Sequence, residues 1–168
     1  MNESNLWEWL RDVALPLGQY SRIESPDTAP GFPDVFYQLP SGSRGARGTK
    51  EIVPIPGMGV CGTIELKCNM RPAKVPFPDE DRGLHQSQLR WIRENYKEGG
   101  MVMIIAEVPG VIYIIHGKDA EKFNGATHEE LAEMAWDTIS RDDPKTAATT
   151  LDAMLRVPGN YRLFAEYY

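Results

Sequence analysis

The sequence predicts an α/β fold in which helices flank a mixed β-sheet. Segments with helical and strand periodicity alternate along the chain, and residues 63–108 contain a strand, a helix and a second strand in that order. Such a step forms a right-handed parallel crossover. Two nearly continuous apolar runs, Met101–Val108 and Val111–His116, adjoin at Pro109-Gly110. Apolar runs without alternation are typical of strands buried on both faces, so this pair predicts a buried hairpin.

The first half of the chain predicts one helix and three short strands. Apolar residues recur at helical spacing over Asn2–Ala14, and Pro16 ends the pattern. Segments bounded by Pro and Gly, with β-branched or aromatic residues, predict strands at Tyr20–Glu24, Asp34–Leu39 and Thr63–Cys68. Between the last two, residues 40–62 predict an extended loop, of which Ser41–Lys50 is rich in Gly, Ser and Arg and predicts an exposed, mobile segment.

The second half predicts three helices around the buried hairpin. Leu84–Lys97 carries apolar residues on one helical face and stops at Gly99-Gly100. Thr127-x-x-Glu130 is a capping box that predicts a helix to about Ser140. Pro144 predicts the start of a last helix that ends near Val157.

Length and composition exclude several classes of protein. The chain has 168 residues, which predicts a single domain, and 42% hydrophobic residues, which is enough for a packed core. Its longest apolar run is interrupted by Glu107 and is far shorter than the roughly 20 residues that span a bilayer. Two cysteines and an N-terminus without a signal pattern predict a cytoplasmic protein with no disulfide framework.

The candidate functional residues lie in two short segments, Gly31-Phe-Pro-Asp34 and Glu65-Leu66-Lys67. Side chains alternate along a strand, so Glu65 and Lys67 share one face while Leu66 points to the other. If the strand that begins at Asp34 is the neighbour, two carboxylates and an ammonium group converge. Oxygen ligands of this kind suit a hard divalent cation, which can promote phosphodiester hydrolysis. The backbone carbonyl of Leu66 could add a third oxygen.

Pro33-Asp34 followed by Glu65-x-Lys67 resembles the PD-(D/E)XK nuclease superfamily. The core of that superfamily, which is restriction-endonuclease-like, has the order helix, three strands, helix, strand. Leu84–Trp91 is similar to the glutamine-bearing helix of the virus-type replication-repair (VRR-NUC) branch, and Glu3 resembles the early acidic ligand of archaeal Holliday-junction resolvases. The resemblance covers residues 1 to about 116.

The resemblance implies a role for each of these residues. Asp34, Glu65 and the Leu66 carbonyl would bind Mg²⁺ or Mn²⁺, with Glu3 as a further ligand. Lys67 would be the catalytic lysine, and Gln88 would support the catalytic site. A nuclease core over residues 1–118 would be followed, in the same domain, by a C-terminal helical extension over residues 119–168.

The function that the resemblance implies is that of a metal-dependent endonuclease that cuts junction, flap or branched DNA during phage or bacterial DNA processing. Cutting of junctions or duplexes needs two sites, so a homodimer is expected. Two alternatives remain open: a restriction-type endonuclease with base-specific contacts, and a non-catalytic DNA-binding or assembly protein with the same fold. The residues expected to contact DNA are Arg22, Ser25, Arg44, Arg47, Lys50, Arg71 and Lys74.

Each of the candidate metal-binding and catalytic residues also has a structural interpretation. Asp34 follows a proline and could be a turn residue, and Glu65 and Lys67 could be an exposed strand pair. Gln88 could bond a backbone group. Glu3 could be a first-turn acid favoured by the helix dipole.

The net charge of −6 argues against a nucleic-acid partner, but the charge is distributed unevenly. Residues 40–75 carry six basic and two acidic side chains and include the strand with Glu65 and Lys67. Residues 119–168 carry five basic and ten acidic side chains. We therefore expect DNA to approach the face near residues 40–75, with the acidic C-terminal helices turned away from it.

Overall fold

Four α-helices and eight strands make up most of the chain that the computed structural model describes, which is residues 2–16, 18–23, 31–40, 42–44, 52–54 and 59–156. The helices are α1 (Glu3–Trp9), α2 (Gln86–Lys97), α3 (His128–Met134) and α4 (Pro144–Arg156). The strands are β1 (Gln19–Arg22), β2 (Val35–Leu39), β3 (Gly42–Arg44), β4 (Ile52–Pro54), β5 (Val60–Cys68), β6 (Val102–Val108), β7 (Val111–His116) and β8 (Ala135–Ile139). A π-helical turn, Leu10–Ala14, continues α1, and a 3₁₀ helix, Gly117–Lys122, follows β7.

Six of the strands form one open sheet in the order β1-β2-β5-β6-β7-β8, and the sheet is mixed, as predicted. The pairing of β5 with β6 is parallel, and the other neighbours in this sheet are antiparallel. The chain enters β6 from β5 through α2, which confirms the predicted strand–helix–strand crossover between parallel strands. Strands β3 and β4 pair with each other in a separate two-stranded sheet.

Helices cover both faces of the sheet, so the core has two layers. On one face α1, its π-helical turn and α4 pack on Ile64, Leu66, Met103 and Ile105. On the other face α2, α3 and the 3₁₀ helix pack on apolar residues of β6 and β7. Strands β6 and β7 are buried on both faces, as their apolar runs predict, and Gly110 makes the turn between them with φ of +83°.

Two local predictions are wrong. The capping box at Thr127 does begin α3, but the helix ends at Met134 rather than near Ser140. Ala135–Ile139 instead forms β8, which completes the sheet along β7. This segment contains aromatic and β-branched residues, and an unpaired sheet edge offers them more burial than another helical turn would. The predicted loop over residues 40–62 contains strands β3 and β4 and the first residues of β5, and residues 41, 45–51 and 55–58 of it lie outside the described residues.

The described helices are short and have one apolar face each. The two longest are α2, with 12 residues, and α4, with 13. Apolar residues Ala147, Leu151 and Leu155 form the buried face of α4. Within the described residues, no helix combines the length and the apolar character needed to cross a bilayer.

A buried ion pair connects the segment between β8 and α4 to the central strand β6. Glu107, on β6, is 3% exposed and accepts two hydrogen bonds from Arg141, which lies between β8 and α4. Its Oε1 is 2.5 Å from Nε and its Oε2 is 2.8 Å from the terminal guanidinium nitrogen. The guanidinium group also lies 5.3 Å from the ring centroid of Trp9 in α1. One arginine thereby connects β6, α1 and the turn before α4.

Arg141→Ala is expected to lower the free energy of unfolding by about 2 to 4 kcal/mol, because it leaves a buried carboxylate without its partner. Denaturant unfolding followed by circular dichroism measures the change. Glu107→Leu combined with Arg141→Met should recover most of the loss, since no unpaired charge remains. Arg93→Ala is the matched control, because its ion pair with Glu121 is exposed and should matter far less. Equal stability of Arg141→Ala and the wild type would contradict this role.

Candidate active site

The site forms where β5 extends past the beginning of β2. Val35, the first residue of β2, is opposite Ile64, so β2 does not pair with the last residues of β5, and no other described strand pairs with them on that side. On the other side they pair with β6 as far as Glu107. The freed edge of β5 is occupied by Asp34, whose Oδ2 accepts a hydrogen bond of 2.8 Å from the backbone N–H of Leu66.

The residues before Asp34 explain how it is held there. Gly31 has φ of +91° and lies so close to the backbone of Ser87 in α2 that a Cβ atom would clash with it. The Phe32 ring packs against Trp91 of α2 with 5.1 Å between centroids. The carbonyl of Asp34 accepts a hydrogen bond of 2.8 Å from the N–H of Ile23. The segment is thus fixed against both α2 and the end of β1.

The geometry also orients the carbonyl of Leu66. In a strand the N–H and C=O of one residue point towards the same neighbour. The N–H of Leu66 points to Asp34, so its carbonyl faces the same free edge of β5. The backbone oxygen that the sequence suggests as a third ligand therefore lies on the side of the Asp34 carboxylate.

Glu65 and Lys67 share one face of β5, as strand alternation predicts, and they are buried rather than exposed. Glu65 is 0% and Lys67 7% exposed. The Nζ of Lys67 lies 2.9 Å from Oε1 of Glu65. The second oxygen of Glu65, Oε2, is also buried and has no hydrogen-bond partner within the described part of the chain. The interpretation of this pair as a solvated strand pair is wrong.

Gln88 connects the site to the beginning of α2. Its side-chain N–H donates to Oε1 of Glu65, and its side-chain oxygen accepts a hydrogen bond of 2.9 Å from the N–H of His85. The expected backbone partner is therefore present, and the amide also contacts Glu65, whereas a role for Gln88 in catalysis stays a prediction. The first turn of α2 cannot shift without moving the carboxylate of Glu65.

Glu3 reaches the site from the beginning of α1. Its Oε1 lies 3.9 Å from Nζ of Lys67, and its side chain is 44% exposed. Burial raises the pKa of Glu3, and Asp34 raises it further, whereas the charges of Lys67 and Arg22 act to lower it. Arg22, which was expected to contact DNA, thus lies in the electrostatic environment of this site.

Burial raises the pKa of Glu65 to about 8, although the ammonium group of Lys67 opposes the change. Asp34 and Glu3 add to the increase because they are nearby negative charges. For Lys67, burial acts to lower the pKa, but Glu65 and Glu3 outweigh it and the pKa is raised. Lys67 therefore keeps its proton at neutral pH, and its ammonium group lies among the three carboxyl groups of Glu3, Asp34 and Glu65.

These features suit a hard divalent cation. Oε2 of Glu65, which has no hydrogen-bond partner in the described part of the chain, can act as an oxygen ligand, and the Asp34 carboxylate and Leu66 carbonyl lie at the edge of the same strand. Within the described residues, no three Asp, Glu, His or Cys side chains already form a group that could hold a metal ion. Mg²⁺ binds through one or two carboxylates and retains several waters, so a complete protein cage is not required.

The structure describes the side chains of only some of the residues expected to contact DNA. Arg71 and Lys74 are exposed on the connection from β5 to α2. Ser25, Arg47 and Lys50 lie outside the described residues, and of Arg44 only the backbone, in β3, is described.

The site also includes a residue that the sequence does not indicate. The charge of His85 acts to lower the pKa of Glu3, and its N–H is bonded by Gln88. A single histidine before a helix gives no spacing signal, so only the fold reveals this position.

Mn²⁺ is expected to stabilise the protein more at pH 8.5 than at pH 6. Below the raised pKa of Glu65 the carboxyl group holds a proton that a cation must displace, so the metal affinity falls as the pH falls. At 100 times its Kd, Mn²⁺ adds about 2.7 kcal/mol, or about 5 to 10 °C in Tm, which thermal denaturation measures.

Glu65→Gln should abolish this stabilisation, whereas Glu80→Gln, which removes an exposed acid, should keep it. The same Mn²⁺ effect in Glu65→Gln and in the wild type would exclude Glu65 as a ligand.

Comparisons with known proteins do not assign the chain to a family. No family model matches it, and a search of curated proteins finds no match. The functional conclusion therefore depends on the residues just described: two carboxylates and an ammonium group at the free edge of a central strand, with a glutamine from the next helix.

Proposed function

We propose that the protein is a metal-dependent deoxyribonuclease of the PD-(D/E)XK type. The observation that carries this proposal is the buried Glu65, beside Asp34 on the same strand edge. One oxygen of Glu65 contacts Lys67, and the other has no hydrogen-bond partner among the residues that the structure describes. The order of helix α1, antiparallel strands β1, β2 and β5, helix α2 and parallel strand β6 supports it, because this is the order expected of that superfamily's core.

Each side chain has a part in phosphodiester hydrolysis. A bound Mg²⁺ or Mn²⁺ would polarise a nonbridging phosphate oxygen and lower the pKa of the attacking water. Asp34 and Glu65 would hold this ion, together with the Leu66 carbonyl. Lys67 would stabilise the negative charge that develops on the phosphate as water adds to phosphorus and the P–O bond to one nucleoside breaks.

Gln88 and Glu3 complete the proposed machinery in different ways. Gln88 orients Glu65, because its amide is fixed between that carboxylate and the N–H of His85. Glu3 lies at the partly exposed rim, where it can ligate the cation through water or position Lys67. Structure-selective cutting of branched DNA by a homodimer is the specific form of the proposal, and it rests on the family resemblance.

Lys67→Ala is expected to reduce DNA cleavage by at least about 100-fold, because it removes the donor that stabilises charge in the transition state. The assay incubates the protein with plasmid, linear duplex, single strand, flap and four-way junction in Mg²⁺, Mn²⁺ or EDTA. Lys97→Ala, which removes an exposed lysine on α2, should cut like the wild type. Metal-dependent cutting that survives in Lys67→Ala would show that the chemistry occurs elsewhere.

Asp34→Asn is expected to abolish cleavage and to leave DNA binding within about threefold of the wild type. The amide oxygen can still accept the hydrogen bond from Leu66, so the edge of β5 stays in place while the negative charge for the cation is lost. Binding is measured in EDTA by fluorescence anisotropy, with Asp142→Asn as the exposed control. Loss of binding together with cleavage would make Asp34 a structural residue.

The same assays separate the proposal from its main competitor. A wild-type protein that binds DNA but cuts none of the substrates, with either metal, would be a non-catalytic DNA-binding protein.

A further inference from the structure

The connection between β5 and α2, residues 69–85, is long and has no helix or strand, yet it is tightly anchored. The side chain of Asn69 donates to the carbonyl of Pro76 and accepts a hydrogen bond of 3.1 Å from the N–H of Arg71. At the far end, Asn124 bonds both the N–H and the carbonyl of Leu84, at 2.8 Å each. Long connections of this kind inside a compact domain are uncommon and are usually functional when ordered.

The middle of this connection is held equally well. Phe77 is fully buried and stacks on Phe123 with 4.8 Å between ring centroids. The carbonyl of Phe77 accepts a hydrogen bond of 2.7 Å from Gly125. The ring of His128 contacts the carbonyl of Ala73 at 3.1 Å. These contacts give the exposed side chains of the connection a rigid base.

The connection forms one wall of a cleft beside the candidate active site. The cleft has a volume of about 690 Å³ and is lined by Glu3, Cys68, Arg71, Asp81 and Arg82, among others. Glu3, which lines the cleft, has its Oε1 3.9 Å from Nζ of Lys67, so the cleft borders the candidate site. Arg71 and Arg82 are exposed, and within the described residues no ion pair or side-chain hydrogen bond engages either guanidinium group.

We propose that this cleft binds a phosphate group of the DNA strand that neighbours the phosphate being cleaved, with Arg71 and Arg82 as its cationic partners. The inference rests on the proposed nuclease function and extends it to Arg82, which neither the motifs nor the charge pattern indicates. Glu3 and Asp81 line the same cleft, so its formal charge is balanced. Selectivity for phosphate therefore comes from the planar, bidentate donors of arginine rather than from overall positive charge.

The test compares Arg71→Ala/Arg82→Ala with a matched double variant, Arg90→Ala/Arg93→Ala, which removes the same charge from the exposed side of α2. Binding of a labelled DNA duplex is measured by anisotropy in EDTA at several KCl concentrations. The cleft variant should bind about tenfold more weakly, and the slope of its salt dependence should fall by about one per arginine. In cleavage assays with Mg²⁺, its KM should rise more than its kcat falls.

Two results would overturn the inference: unchanged affinity and salt slope in the cleft variant, or the same loss of affinity in both double variants. The second result would mean that only net charge matters. A wild-type protein that binds DNA without cutting it would refute the proposed nuclease function. A tenfold loss of DNA affinity confined to the cleft variant would still support phosphate binding by the cleft. Absence of DNA binding by the wild type would refute both.

Discussion

The site depends on one buried carboxylate, that of Glu65, whose hydrogen bonds involve only one of its two oxygens among the described residues. Glu65 lies on the central part of the sheet with no exposed surface, where an ionised carboxyl group is costly unless it is paired and hydrogen-bonded. Lys67 and Gln88 both bond its Oε1, and Oε2 is left without a partner in the described part of the chain. The late start of β2, the close packing of Gly31 on α2 and the capping role of Gln88 all serve to hold groups around this carboxylate.

A second buried carboxylate in the same sheet shows that this arrangement is not forced by the fold. Glu107 also lies on a central strand, but Arg141 bonds both of its oxygens, and the thiol of Cys68 lies 3.7 Å from Oε2. That pair is complete and connects elements on the α1 side of the sheet. Glu65, on the α2 side, has one oxygen that is buried and has no hydrogen-bond partner among the described residues. A carboxylate paired on both oxygens, like Glu107, suits a structural role. A carboxylate that keeps one oxygen for a ligand, like Glu65, suits the binding of a cation.

Strand alternation was sufficient to predict the grouping of Glu65 and Lys67, and the apolar runs were sufficient to predict β6 and β7. Those features depend on neighbours in sequence. The strand β8 was not predictable, because the helical capping box at Thr127 is correct for α3 and only the free edge of β7 makes Ala135–Ile139 extended. Likewise, Arg82 and His85 come near the site only because the connection after β5 folds back beside Glu3. Nothing in their local spacing carries that information.

The claim that Asp34 and Glu65 bind the cation while Lys67 does not is tested most directly by titrating Mn²⁺ and following its electron paramagnetic resonance signal. The wild type and Lys67→Ala should each remove about one Mn²⁺ per chain from solution at pH 8.5, because loss of the ammonium group removes a competitor for Oε1 of Glu65. Asp34→Asn and Glu65→Gln should both lose this site. Retention of wild-type Mn²⁺ affinity in both of these variants would contradict the assignment of the two carboxylates as ligands.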